Sequence, residues 1–406
     1  MPLPALRPVD AFPIEHQGQQ LICLRDVEGY VEEQLVLTPA AFFVACQLDG
    51  QHDVVDIQYA YARQFGGQLL YAEEVLKVVH HLDQAGFLYS ERFAALRQRV
   101  IEAFRQAETR PPYLAGKSYP AQASELRVFL DAFFLRHDGP GRQPVPGNGT
   151  PLRGLVAPHI DFHRGGHAYA HGYLRLFQQG PPEVVFIFGV AHAAPPVPFI
   201  LTQKHFATPF GTLETARELV HHLEAACAWD PYAYEIVHRT EHSIEFQAVM
   251  LAYFYGPAVR IVPILCGAFA AEVPVEPQAL PEVQAFLAAC QELVAGAGKR
   301  VSVIAGADLA HVGRRFGDAF DIDARVVRAV EARDREDLQH VTAADAEGFY
   351  RSVMRDQNRR RVCGLNCIYA ALKALAGSVA GGELVHYDYA PDPAGGIVSF
   401  ANVALA

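Results

Sequence analysis

Three histidines stand where short apolar runs give way to loops, and a cysteine precedes a helix-like segment. The apolar runs cover residues 155–156, 184–188 and 301–304, and they are followed by His159, His192 and His311 respectively. The cysteine that precedes the helix-like segment is Cys363. In open α/β sheets, ligands bind in the crevice at the carboxyl ends of the strands. Imidazole and thiolate both bind metals and both transfer protons. The pattern therefore predicts a metal site or an acid–base site.

Two further segments carry groups of the same kind. His242 lies in the acidic segment 241–245, which resembles the start of a helix with Ser243 near its cap. Asp308 precedes His311 by three residues, so the carboxylate and the imidazole can face one point, or the carboxylate can orient the histidine. Simpler interpretations stay open: a solvated loop histidine, and an Asp–His pair on the surface.

Cys363 is followed by Gly364 and then by an apolar helix face. Unpaired N–H groups at a helix N-terminus stabilise a thiolate, so the position favours a metal-binding sulfur. Cys367 would lie one turn further along, either as a redox partner of Cys363 or as an inward-packed core residue.

Composition narrows the class of protein. A chain of 406 residues with 51% hydrophobic residues suggests two domains. The formal net charge of −11 argues against nucleic acid as a partner. No apolar run reaches the roughly 18 residues of a membrane span, so we expect no membrane insertion. The N-terminus also lacks a basic region followed by an apolar core, so we expect a cytoplasmic protein. Seven cysteines, an odd number, are typical of reduced thiols rather than a disulfide framework.

The first 108 residues predict a small α+β module. The expected elements are strands at 21–24 and 34–37, a helix from Thr38-Pro39 to about residue 50, helices at 54–64 and 72–85, and a strand-like wing at 86–89. This order is winged-helix-like, and residues 37–50 resemble the PqqD-like peptide-binding modules. The third helix has Lys77 as its only Lys or Arg, which disfavours DNA. A bound peptide or protein is the better hypothesis, and a packing appendage without a ligand is the alternative.

Residues 109–150 are interpreted as a linker that ends in a Pro/Gly-rich loop. From residue 151 to 406, strand-like runs alternate with helical segments, which predicts a three-layer α/β domain. The expected strands are 155–156, 184–188, 260–265, 301–304 and 397–403, and the expected helices are 168–177, 216–226, 245–253 and 280–295.

Taken together, the motifs resemble the Memo family. They occur in the family's order and rough spacing: Ala157-Pro158-His159, Gly189-Val190-Ala191-His192, Glu241-His242-Ser243-Ile244-Glu245, Ala307-Asp308-Leu309-Ala310-His311 and Val362-Cys363-Gly364. The opening motif resembles residues 115–120, so the resemblance runs from about Ala115 to the C-terminus. The chain looks like the bacterial branch, AmmeMemoRadiSam system protein B.

The resemblance implies a fold similar to class III extradiol dioxygenases and a mononuclear metal site with iron (Fe²⁺) or, alternatively, copper. The implied metal ligands are His159, His192 and Cys363. The implied catalytic residues, which would line the same pocket, are His242, Asp308 and His311. The branch also implies a radical-SAM protein and an associated small protein as partners.

Departures from the family pattern concern the substrate pocket. Asp161 and His163 are added near the expected metal, Ser118 replaces the aromatic residue before Tyr119, and Leu365 stands where the family has Arg. The residues expected in the substrate pocket are Asp161, His163, Tyr119 and Ser243.

Three functional hypotheses remain. The first is a non-haem iron oxidoreductase. The second is a non-catalytic accessory protein that binds metal and a peptide or protein. The third is a cysteine hydrolase that uses Cys363 with His242 or His311, because a thiolate and an imidazole form a nucleophile pair.

Overall fold

The computed structural model of the protein describes residues 1–269 and 276–406. The chain divides into two compact units, Met1–Gln106 and Ala107–Ala406. The apolar residues of the first unit form a core of their own around Leu24, Ile57 and Val75. The predicted boundary at residue 108 falls close to this division.

The first unit contains an antiparallel sheet in the order β1-β2-β3, followed by helices. Its elements are β1 (Val9–His16), β2 (Gln19–Asp26), β3 (Leu35–Leu37), α1 (Pro39–Cys46), α2 (Val54–Gln64), α3 (Ala72–Gln84) and α4 (Glu91–Gln106). Thr38 caps α1 by accepting a hydrogen bond from the backbone N–H of Ala41, and Pro39 occupies the first helical turn, as predicted. The helix ends at Cys46, before the predicted end. Where a wing strand was predicted at 86–89, Leu88 forms an isolated bridge to Leu6.

The second unit is a mixed α/β structure. Its strands are β4 (Thr109–Arg110), β5 (Gly154–Ala157), β6 (Val184–Val190), β7 (Phe199–Leu201), β8 (His205–Thr208), β9 (Gly211–Leu213), β10 (Arg260–Cys266), β11 (Val301–Gly306), β12 (His311–Gly313), β13 (Gly382–Asp392) and β14 (Gly396–Leu405). Its helices are α5 (Ala123–Leu135), α6 (Phe162–Phe177), α7 (Arg217–Glu224), α8 (His242–Tyr255), α9 (Pro281–Gly296), α10 (Ala324–Thr342), α11 (Ala346–Met354) and α12 (Leu365–Ala374).

Within the described residues, the main sheet has eight strands, in the order β12-β14-β5-β11-β6-β10-β7 with β13 paired to β14. Its centre is parallel, because β5 pairs with β11, β11 with β6 and β6 with β10, all in the same direction. Phe186 and Phe188 of β6 pack into one hydrophobic cluster, whereas Val185 and Ile187 pack into another. Both faces of the sheet are therefore buried, which explains why its strands read as continuous apolar runs.

The segment interpreted as a linker contributes to the second unit. β4 pairs with β8, which in turn pairs with β9, in a small three-stranded sheet. Arg110 of β4 is fully buried, and α5 adds Leu126 and Leu130 to the core. Local sequence reasoning missed β4 because its partner strand lies far along the chain.

No helix within the described ranges combines the length and the apolar character needed to cross a membrane.

Candidate metal centre

Three polar side chains follow the carboxyl ends of adjacent parallel strands. His159 comes two residues after the end of β5, His192 two residues after β6, and Asp308 two residues after β11. Because β11 lies between β5 and β6, the three loops open at the same edge of the sheet. This is the place where α/β sheets bind ligands.

Two helices bring further groups to the same edge. Cys363 lies just before α12, and His242 is the first residue of α8. The ligand atoms of His159, His192 and Cys363 all lie within 4.8 Å of one another. The three residues singled out as ligands therefore converge, although the chain separates them widely.

His159 is buried and held in one orientation. Its Nδ1–H donates to the carbonyl oxygen of Gly306 at 2.8 Å. The other ring nitrogen, Nε2, lies 3.3 Å from the sulfur of Cys363. A hydrogen bond at one nitrogen that leaves the second nitrogen free is the usual arrangement of a metal-binding histidine.

His192 is oriented by Glu241, a residue outside the predicted site. The Glu241 carboxylate accepts hydrogen bonds from His192 Nδ1 at 3.0 Å and from the His192 backbone N–H at 2.9 Å. It also caps α8 by accepting from the backbone N–H groups of His242 and Ser243. The His192 side chain is 39% exposed, so this edge of the site is open to solvent. The EHSxE segment was the available signal for Glu241, but its partner lies in another loop.

Asp308 joins the loops that carry His159 and Cys363. Its Oδ1 accepts from the backbone N–H groups of His159 at 3.0 Å and Ile160 at 3.2 Å, while its Oδ2 lies 3.6 Å from His159 Nε2. The Asp308 carbonyl oxygen accepts the N–H of Gly364 at 3.1 Å. Burial raises the pKa of the Asp308 carboxyl to about 6.

The predicted thiolate of Cys363 does not agree with the protein groups that surround it. Burial, reinforced by the negative charge of Asp308, raises the pKa of this thiol well above its ordinary value. Burial and the neighbouring imidazoles of His192 and His242 lower the pKa of His159. The cost of burying a charge thus outweighs the stabilisation of a thiolate by the helix N-terminus. Cys363 is therefore a neutral thiol beside the neutral imidazole of His159.

His242 lies beside the ligand cluster. Its ring stacks on that of His192 at 4.7 Å and lies 5.2 Å from that of His159. Burial lowers its pKa, but the carboxylates of Glu241, Asp308 and Glu245 together outweigh burial, so that the pKa is raised overall. His242 can therefore hold a proton at the edge of the site.

His311 begins β12, and its Nδ1–H donates to the carbonyl of Leu309 at 3.1 Å. Burial lowers its pKa to about 4, so His311 is neutral near pH 7. Among the described residues, it belongs to none of the groups close enough to share an ion. Its catalytic role stays a prediction.

The four residues expected in the substrate pocket have structural contacts. Tyr119 donates its hydroxyl to Glu245 at 2.5 Å, and Ser243 donates to the carbonyl of Val190 at 2.9 Å. Asp161 caps α6 by accepting the N–H of His163, whose exposed ring packs against Phe129 at 5.0 Å between ring centres. Substrate contact by these four residues stays a prediction.

A buried ion pair supports the helix that carries His242. The guanidinium of Arg110 lies against the Glu245 carboxylate at 2.5 Å and also donates to the backbone carbonyls of His238 and Glu241. Tyr119 and the Leu114 N–H complete the hydrogen bonds of that carboxylate. Arg110 lies upstream of all five motifs, so sequence reasoning missed this support.

Two glycines let α8 approach the strand ends closely. A Cβ atom on Gly189 would lie 2.6 Å from both Ile244 and the Ser243 hydroxyl, and one on Gly306 would lie 2.6 Å from the Ser243 carbonyl oxygen. Neither approach leaves room for a side chain. The N-terminus of α8 can therefore hold Glu241 and His242 at the edge of the sheet.

The donor set fits a transition-metal ion. Two imidazole nitrogens and one sulfur suit iron, copper or zinc, and three protein ligands leave positions for water or a substrate. A second possible group consists of His192, Glu241 and His242. Backbone N–H groups already occupy the Glu241 oxygens. The group that contains Cys363 is therefore the better candidate for holding an ion, and Glu241 orients His192.

Replacing Glu241 with glutamine is expected to weaken metal binding by about 10- to 100-fold, the usual cost of losing a group that orients a metal-binding histidine. Glutamine keeps the shape but removes the charge beside His192 and places an amide N–H against backbone donors. Competition with a chelator of known affinity measures the change. Glu224→Gln, on the exposed Glu224–His221 pair, is the matched control and should leave affinity unchanged. Equal affinities for all three proteins would contradict the role of Glu241.

Comparison with known proteins identifies relatives. The family model described as Memo-like protein matches residues 110–403. The chain is 26% identical over 396 residues to a MEMO1 family protein of Aquifex aeolicus, covering 97% of this chain and 98% of the relative. It is 31% identical over 305 residues to a MEMO1 family protein of Methanopyrus kandleri, covering 73% of this chain and 98% of the relative.

The matched range includes every candidate ligand and both carboxylates that orient the histidines. A MEMO1 family protein of Thermus thermophilus is also similar, at 28% identity over 316 residues, covering 76% of this chain and 86% of the relative. The family model covers well over half of the sequence, and the Methanopyrus relative matches along nearly its whole length. The chain belongs to the Memo family.

Proposed function

We propose that this Memo-family protein binds one redox-active metal ion, Fe²⁺ or alternatively copper, through His159, His192 and Cys363, and that it acts as an oxidoreductase. One observation carries the proposal: two oriented imidazoles and a thiol converge within 4.8 Å at the carboxyl ends of neighbouring strands. The proposed likeness to class III extradiol dioxygenases follows the family resemblance.

When bound, such an ion supplies a redox centre with open coordination positions. The surrounding residues would prepare those positions. Glu241 orients His192 and caps α8, and Asp308 fixes the backbone of His159. His242, with its raised pKa, would hold a proton beside the open edge, and His311, which stays neutral, would offer a ring nitrogen as a hydrogen-bond acceptor.

The cysteine hydrolase hypothesis is less well supported. A hydrolase of this kind activates its nucleophile by forming a thiolate–imidazolium pair. Here, burial raises the pKa of the Cys363 thiol well above its ordinary value, which favours the neutral thiol over the thiolate that attack by Cys363 with His242 or His311 would need. A non-catalytic accessory protein that binds metal remains the second candidate, because its ligands would be the same.

For Met1–Gln106 we propose a PqqD-like, winged-helix-like module that binds a peptide or protein. The proposed partners are a radical-SAM protein and an associated small protein, as expected for AmmeMemoRadiSam system protein B. The Methanopyrus alignment supports a separable module, since it covers 98% of that relative but 73% of this chain. We propose a reducing, cytoplasmic location, which suits seven free thiols.

Metal analysis of protein purified without oxygen tests the proposal. We expect about one iron or copper ion per chain and an absorption band from thiolate-to-metal charge transfer, followed by a change of that band when oxygen is admitted. If the absorption spectrum of the metal-loaded protein does not change on addition of oxygen or of a reductant, the non-catalytic accessory role is favoured. Failure to bind either metal at micromolar concentration would refute both.

A further inference from the structure

A second cluster of histidines and carboxylates lies between α6 and β13, and none of its members belongs to the centre described above. His167 and His171 are four residues apart on α6, whereas His386 and Asp388 are two residues apart on β13. Both spacings place the paired side chains on one face of their element. Because Asn402 of β14 donates to the α6 carbonyl of Ala168 at 2.9 Å, the helix is tied to this part of the sheet.

The ligand atoms of three of these residues are close enough to share an ion. His167, His386 and Asp388 lie within 4.8 Å of one another. His167 Nε2 lies 2.9 Å from the Asp388 carboxylate. Ligands bound tetrahedrally to zinc at about 2.1 Å are separated by roughly 3.4 Å. Small side-chain rotations would therefore bring the three ligand atoms to the distances that a bound cation requires.

His386 differs from His167, because contacts with carboxylates do not account for its buried ring nitrogen. His167 has carboxylate neighbours on both sides, since its Nδ1 also lies 3.9 Å from Asp138. In contrast, His386 Nε2 is buried and has no hydrogen-bond partner among the residues that the structure describes. Buried polar atoms are normally paired, so an unpaired ring nitrogen suggests a missing ligand.

His386 packs against a second imidazole, and its neighbour Asp388 is open to solvent. Its ring stacks on that of His171 at 4.3 Å, with an angle of 9° between the rings. The Asp388 side chain is 38% exposed, which gives an ion access from solvent.

We propose that His167, His386 and Asp388 form a second divalent-cation site, suited to Zn²⁺. Two nitrogens and one oxygen are a usual three-residue zinc set, and water would take the fourth position. The site contains no thiol. It therefore differs from the first centre in its spectrum as well as in its place in the fold.

Zinc and cobalt titrations of the full-length protein test the second site. The wild-type chain is expected to bind two equivalents of Zn²⁺. His386→Gln and Asp388→Asn should each bind one equivalent and keep the near-ultraviolet band of thiolate bound to Co²⁺. Cys363→Ser should also bind one equivalent but lose that band. His340→Gln, which alters a partly exposed His–Asp pair with Asp345, is the matched control and should bind two.

Two results would overturn this inference: binding of one equivalent by the wild type that disappears in Cys363→Ser, or retention of two equivalents by His386→Gln and Asp388→Asn. If instead the proposed centre at His159, His192 and Cys363 does not bind zinc, the wild type binds one equivalent. That equivalent disappears in His386→Gln and persists in Cys363→Ser. Thermal unfolding of the metal-free variants checks the fold. Should His386→Gln unfold, Asp388→Asn, at a partly exposed position, decides the question.

Discussion

Replacing Cys363 with serine is expected to weaken iron binding by more than about 100-fold and to remove the thiolate charge-transfer band. Loss of an orienting group alone costs about 10- to 100-fold in affinity, and Cys363 would supply a ligand itself. The serine hydroxyl would not replace the sulfur as a ligand, because it is a much weaker acid than a thiol and would stay protonated beside the buried carboxylates. Metal content and absorption spectra of protein loaded without oxygen measure both effects.

Cys46→Ser is the matched control, because Cys46 is an exposed free cysteine of the first unit. It should bind as much metal as the wild type and keep the band. Full metal content and an unchanged band in Cys363→Ser would show that the sulfur is not a ligand. The proposed function would then lose its main support.

Replacing Arg110 with alanine is expected to lower the free energy of unfolding by about 3–5 kcal/mol, since it leaves the buried Glu245 carboxylate without its cation. The Arg110 side chain is 0% exposed and that of Glu245 is 1% exposed. Two backbone carbonyls, those of His238 and Glu241, would also lose a donor. Urea unfolding followed by circular dichroism measures the loss.

Arg260→Ala provides the comparison for this prediction. Arg260 also pairs with a glutamate, Glu218, but both side chains are largely in water, at 42% and 58% exposed. Exposed pairs contribute about 0–1 kcal/mol, so the control should unfold close to the wild type. A similar small change for Arg110→Ala would mean that Glu245 is adequately stabilised by Tyr119 and the Leu114 N–H.

Local sequence patterns predicted five strands of the main sheet and the helices α6 to α9, but not α5, α10 or α11. The apolar runs at 184–188, 260–265 and 301–304 became β6, β10 and β11, each extended by one or two residues. Such runs are readable because a strand buried on both faces needs apolar residues at every position. The small sheet containing β4 was not predictable in this way, since a two-residue strand carries no periodicity.

The sequence by itself determined which side chains could bind a metal, because His159, His192 and Cys363 follow or precede recognisable elements within recognisable motifs. It also determined the family. Only the tertiary structure decided which groups orient them: Glu241 reaches His192 from another loop, and Arg110 holds Glu245 across the core. It also decided that burial keeps the metal-free Cys363 as a thiol. The physical reason is the same in each case: hydrogen bonds and desolvation depend on which distant segments the strand order brings together, and no local spacing encodes that order.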